Sequence, residues 1–174
     1  MAQSAAIVAV MSLALGWDVR TRRIPNALTV GGLFVALLLR APLGGPAMLA
    51  GLGGAGLALA LSLPLFALGG LGGGDAKLLV AAGAFLGPQG LLTAALAAGI
   101  LGGLMAVVTI VRRSVWLPVL LNCRDLLINL VTLGRAGERP SLDSPGAVKI
   151  PYGVAISLGT LVAWFTPLLE ATAG

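Results

Sequence analysis

The chain has 174 residues, 58% of them hydrophobic and 10% charged, with 11 Lys and Arg against 6 Asp and Glu and a formal net charge of +5. A soluble domain needs roughly a quarter of its residues charged to cover its surface, so a water-soluble globular fold is excluded and the chain reads as an all-α, polytopic membrane helix bundle. It holds no His and a single Cys, Cys123, which excludes imidazole catalysis, a histidine metal site and an intramolecular disulfide; no metal or organic cofactor is implied.

A bilayer core of about 30 Å asks for roughly 20 apolar residues per helical crossing. The first run, 3–17, has no Lys or Arg ahead of Asp18. A secretory signal carries its positive charge before the apolar stretch, so this run is expected to be a retained first helix. Asp18 ends it and opens the segment DVRTRRIPN. The second and third spans are expected at 26–39 and 47–68. Gly69, Gly70, Gly72, Gly73 and Gly74 then crowd together, a stretch too poor in helix propensity to continue a helix. Asp75 opens the fourth span, 76–86, and the fifth follows at 91–111. The sixth is expected at 151–169. The second and fourth spans are short for a full crossing.

Between the last two spans, 112–149 is the one long loop. Its first part, 116–133, spaces Leu117, Leu120, Leu121, Leu127, Leu130 and Val131 around Arg124 and Asp125. That spacing predicts an amphipathic helix on the membrane surface, drawn to anionic lipid head groups by its basic residues. Its second part, GRAGERPSLDSPG, is polar and rich in Pro and Gly and reads as flexible. The whole chain, 1–174, is expected to be a single integral membrane domain, with no nucleic-acid module.

Basic residues accumulate in cytoplasmic loops near helix ends. With six spans and both termini outside, the cytoplasmic loops hold Arg20, Arg22 and Arg23, then Lys77, then Arg112, Arg113, Arg124, Arg135, Arg139 and Lys149. Arg40 alone of the eleven basic residues falls on the outer side. The charge pattern therefore predicts that topology.

Of the six acidic residues, Asp125, Glu138, Asp143 and Glu170 read as solvated charges. Asp18 and Asp75 differ, since each lies where a span meets the cytoplasmic surface, and acidic groups at membrane depth are kept near a cavity, a partner or a site of chemistry. Two carboxyls that share a site hold a single proton between them. One can then draw a proton from water while the other polarises a carbonyl, which hydrolyses a peptide without metal or imidazole. The residues alone leave plainer roles open: an interface charge paired with Arg20, Arg22 or Arg23 for Asp18, a helix N-cap for Asp75, and a hairpin for the glycines.

Together these segments resemble the type IV prepilin peptidases, a family of membrane aspartic peptidases. The resemblance rests on Asp18 followed by a basic stretch and Ile24, Pro25 and Asn26. It rests further on Gly72, Gly73, Gly74 and Asp75 with Lys77 behind them, and on Pro151, Tyr152 and Gly153 ahead of the last span. It implies an aspartic endopeptidase of the bacterial inner membrane that removes the leader of a pilin precursor at the cytoplasmic face. Asp18 and Asp75 carry over as the catalytic pair, and the other motif residues as architecture around it. Longer family members have a cysteine-rich insert associated with methylation. It is absent here, so the resemblance implies a peptidase without methyltransferase activity. The short form looks like the prepilin peptidases of tight-adherence (Flp) pilus systems, with an Flp-like prepilin as substrate and membrane lipid as surroundings. A presenilin-like intramembrane protease shares the GxGD element, and a small transporter or assembly subunit could use two carboxyls for ions.

Overall fold

The computed structural model describes residues 1–113, 116–132 and 151–173. Its described residues form helices with no strand. They are α1 (Ala2–Thr21), α2 (Asn26–Arg40), a short 3₁₀ turn (Ala41–Leu43), α3 (Gly45–Ala67), α4 (Gly73–Arg113), α5 (Trp116–Val131) and α6 (Tyr152–Ala173). Four helical stretches are long and apolar enough to cross a membrane: Ala2–Thr21, Asn26–Leu43, Gly45–Ala67 and Gly73–Arg112, with Tyr152–Thr166 as a shorter apolar helix. The chain is an all-α polytopic membrane bundle.

Helix α4 contains the fourth and fifth expected spans as two limbs, 73–86 and 88–113. Gly87 separates them with φ 75 and ψ 179, a conformation reserved for glycine, and Pro88 starts the second limb without needing a backbone N–H. The chain thus reverses within a residue or two and each limb runs back along the other. The glycine-rich stretch before Asp75 is shorter than expected. Gly73 and Gly74 belong to α4, and only 68–72 is irregular. There Gly69 takes a positive φ of 77, and the amides of Gly69 and Gly70 return to Phe66 and Leu65, closing α3.

Close helix contacts need small residues. Gly54 of α3 and Gly83 of α4 meet backbone to backbone, leaving no room for a side chain at either position. On the other side of the molecule Gly159 of α6 lies against the backbone of Ala94 and Ala98 on the second limb of α4. Such approach is how membrane helices gain packing energy where lipid is as apolar as a leucine side chain. Ile7, Met11 and Ala14 of α1, Leu78 and Phe85 of α4 and Ile156 of α6 fill the core between these contacts. Phe34, Leu38, Leu96, Ile100 and Val162 lie exposed on the outer faces, where lipid would cover them.

Arg40, the one basic residue placed on the outer side by the charge pattern, is half-buried at the far end of α2. Its guanidinium donates to the carbonyls of Ala84 (2.8 Å), Phe85 (2.7 Å) and Ala47 (2.9 Å). Two of those carbonyls belong to the last turn of the first limb of α4, where no following amide remains to take them. Helix α5 forms where an amphipathic helix was expected. The polar stretch at 134–146 falls outside the described residues.

Candidate active site

Three chain segments, distant in sequence, meet at one end of the bundle. The first is the link between α1 and α2. Helix α1 runs past Asp18 to Thr21 and stops where Arg22 turns left-handed (φ 51, ψ 30), its amide bonded to the Asp18 carbonyl at 2.9 Å. The Thr21 hydroxyl, with one hydrogen to give, lies 2.9 Å from both the Trp17 and Arg23 carbonyls. Pro25 then takes an extended ψ of 136, and its carbonyl accepts the Leu28 and Thr29 amides to start α2.

The second segment is the start of α4. Asp75 is the third residue of that helix rather than its N-cap, a correction to the capping role left open from sequence. Gly72 stands ahead of the helix, its carbonyl accepting the Ala76 amide at 2.9 Å. The Gly72 N–H faces the Asp75 carboxyl, the reach-back of a capping box, and a Cβ on Gly72 would lie 2.8 Å from Asp75 Oδ2. One helical turn of this start is tied to the first segment, because Lys77 Nζ donates to Asn26 Oδ1 at 2.9 Å.

The third segment is the start of α6. The Val154 N–H donates to Asp18 Oδ2 at 3.1 Å, and the Gly153 N–H faces the same carboxyl. The Tyr152 ring rests on Gly102 of the second α4 limb, where no side chain would fit beneath it. Ile24 joins all three segments. It is 9% exposed, with its backbone against Gly74 and its side chain against Gly153.

The two aspartates line one cavity of about 1030 Å³, close enough for the Asp18 charge to act on Asp75. Asp18 is only 3% exposed, while Asp75 is half-buried. Arg22, Arg23 and Lys77 stand on the same cavity with Ile24, Asn26 and Gly72 to Gly74. Leu61 and Leu65 of α3, Ala95 and Ala98 of α4, and Tyr152 and Ile156 of α6 give it an apolar side. Of the sequence-selected residues, Pro25, Pro151 and Gly153 do not line it. They shape the elements that do. The arginines of the α1–α2 link do not take up Asp18 as a direct partner: the Val154 amide does, and Arg22 acts only through its charge. Among the described residues no group of three or more Asp, Glu, Cys or His could hold a metal.

What the sequence did not disclose is the backbone of Val154. A main-chain donor carries no side-chain signature, and 136 residues separate it from its acceptor. The apolar lining was also missed, since leucines and alanines on a membrane helix look alike whether they face lipid or a cavity.

The fold and the cavity define an integral membrane protein with two carboxyls at a shared site. A model of the type IV leader peptidase family matches residues 5–107, well over half of the chain and including both aspartates. The chain belongs to that family, and its activity is that of a type IV leader peptidase. The match supports a peptidase over a transporter. No curated protein and no solved structure matches it.

Proposed function

We propose that Asp18 and Asp75 are the catalytic pair of an aspartic-type peptidase that removes the leader of a prepilin of the Flp-like class. The observation that carries this reading is the convergence of three separate segments, which brings two carboxyls from α1 and α4 onto one cavity. With one proton between them, one carboxyl takes a proton from the attacking water and the other gives one to the scissile carbonyl; the roles exchange as the tetrahedral intermediate collapses. The apolar side of the cavity suits the start of a pilin's membrane helix. The polar side, toward Asn26 and the basic residues, suits the leader junction.

In this reading the bundle lies in the bacterial inner membrane as one domain, both termini outside, with the aspartates at the cytoplasmic end. Helix α5 rests on that surface among lipid head groups, and Gly72, Gly73, Gly74, Ile24, Pro25, Asn26, Lys77, Pro151, Tyr152 and Gly153 support the pair. Cys123 is the only cysteine, which supports a peptidase without methyltransferase chemistry. A presenilin-like cut within a substrate's lipid-embedded helix has no separate observation in its favour.

The test is leader cleavage of a co-expressed Flp-type prepilin in membranes. Wild type is expected to cut it. Asp18→Asn and Asp75→Asn, which keep size and much of the hydrogen bonding, are each expected to lose at least about 10³-fold in rate, the scale of losing one member of a catalytic unit. Cleavage near the wild-type rate by either variant, inserted normally, would remove the pair.

A further inference from the structure

We infer that the first turn of α6 is a positioning device for the reaction: Gly153 and Val154 fix the Asp18 carboxyl through the backbone. The inference rests on the reading of Asp18 and Asp75 as the catalytic pair and assigns work to a segment that lines little of the cavity itself.

A carboxyl with 3% exposure must find hydrogen-bond donors within the protein. Helix α1 has none to offer, because by its last turn the neighbouring amides are committed to carbonyls one turn back. The donors come instead from α6, whose first amides have no carbonyl a full turn back to take them and whose N-terminal end favours negative charge. Val154 N–H is shared between Asp18 Oδ2 at 3.1 Å and the Pro151 carbonyl at 3.2 Å, so the turn that presents it is closed on itself.

Glycine at 153 is what permits this approach. A Cβ there would stand 2.8 Å from Asp18 Oδ2, 2.9 Å from its Cγ and 2.7 Å from Ile24 Cδ1. With the Asp18 carboxyl on one side and the Ile24 side chain on the other, relief has to come from moving one of them. The turn is anchored from behind as well: the Tyr152 ring occupies the space left by Gly102 and borders the cavity with Asp75. The orientation of Asp18 is therefore set by α6, not by α1, and the sequence Pro151-Tyr152-Gly153 reads as the means of bringing the Val154 amide to it. A displacement of about 1 Å in such a group is enough to cost on the order of 10²-fold in rate.

The experiment uses the full chain in proteoliposomes with a Flp-type prepilin, measuring kcat and KM separately. Val154→Ala keeps the N–H, so its loss in kcat is expected to be far smaller than that of Val154→Pro. Val154→Pro deletes that N–H in the first helical turn, where proline is best tolerated. It is expected to lose on the order of 10²-fold in kcat with KM within about twofold, since the apolar wall is untouched. Gly153→Ala, which displaces the carboxyl by a different route, is expected to show the same division.

Wild-type kcat in both Val154→Pro and Gly153→Ala overturns the inference, while continued loss in Asp18→Asn leaves the catalytic pair standing. Lowered melting in Val154→Pro together with full kcat in Gly153→Ala also overturns it, since the turn would then serve only folding. Cleavage by Asp18→Asn would instead remove the reading beneath it.

Discussion

A guanidinium placed among apolar helices is costly unless its donors are used, and Arg40 uses three of them on carbonyls. Those of Ala84 and Phe85 are open because Gly87 breaks the helix just beyond, so the cation completes a helix end that no amide can. Arg40→Met, close in length but without donors, is expected to destabilise the protein by about 2–4 kcal/mol, given roughly 1.5–3 kcal/mol for a hydrogen bond to a charged group. Arg40→Lys should recover only part, because an ammonium cannot span three separated carbonyls in a plane. Unfolding in detergent micelles measures both; equal stability in all three proteins would mean that water or lipid serves those carbonyls instead. Sequence alone placed Arg40 on the outer side but could not say what it held, since two of the carbonyls it meets lie 44 and 45 residues away. Asp18 and Asp75 were legible for the opposite reason. A carboxyl at the end of an apolar run is conspicuous whatever surrounds it.

At the scale of elements, legibility followed the strength of the local signal. The break in α4 could be read from two apolar runs separated by LGPQG, and the structure places the reversal at Gly87. The start of the same helix was read three residues late. Gly73 and Gly74 are poor helix formers, but propensity is a weak prior that a cap and tertiary packing override. Here the Asp75 carboxyl takes up the Gly72 N–H, Gly74 lies on Ile24, and Gly73 meets the Phe66 ring. The α1–α2 link was recognisable as a motif, yet its left-handed Arg22 was not, because non-glycine residues seldom adopt that conformation.

For the molecule as a whole, an all-α polytopic bundle could be read from composition before any contact was known, and four of its helical stretches are long and apolar enough to cross a membrane. Asp18, Asp75, Lys77 and Tyr152 gather at one end of it while Arg40 sits at the other. The proposed orientation can be checked directly. Reporter fusions at the N-terminus and after α6 are expected to report the outer side, and a reporter placed after Arg113 the cytoplasmic side. The reverse pattern would turn the aspartates away from any leader held in the cytoplasm. What no composition argument could supply is the meeting of three segments through Ile24, because contacts between distant segments leave no trace in local periodicity.

The shortest crossing has a consequence for the lipid. Helix α2 with its 3₁₀ turn crosses in 18 residues, but the first limb of α4 beside it has only about 14 and rises about 21 Å. Both begin at the aspartates. A bilayer core of about 30 Å exceeds that limb by roughly 9 Å, a mismatch that local thinning or sinking head groups would relieve. Water and a peptide bond at head-group depth would then descend to the carboxyls without either helix having to open. Cleavage of one prepilin is accordingly expected to run faster in vesicles of short-chain lipid than in long-chain vesicles of the same head group. Equal rates across chain lengths would show that the protein, not a dimpled membrane, brings the substrate down to the aspartates.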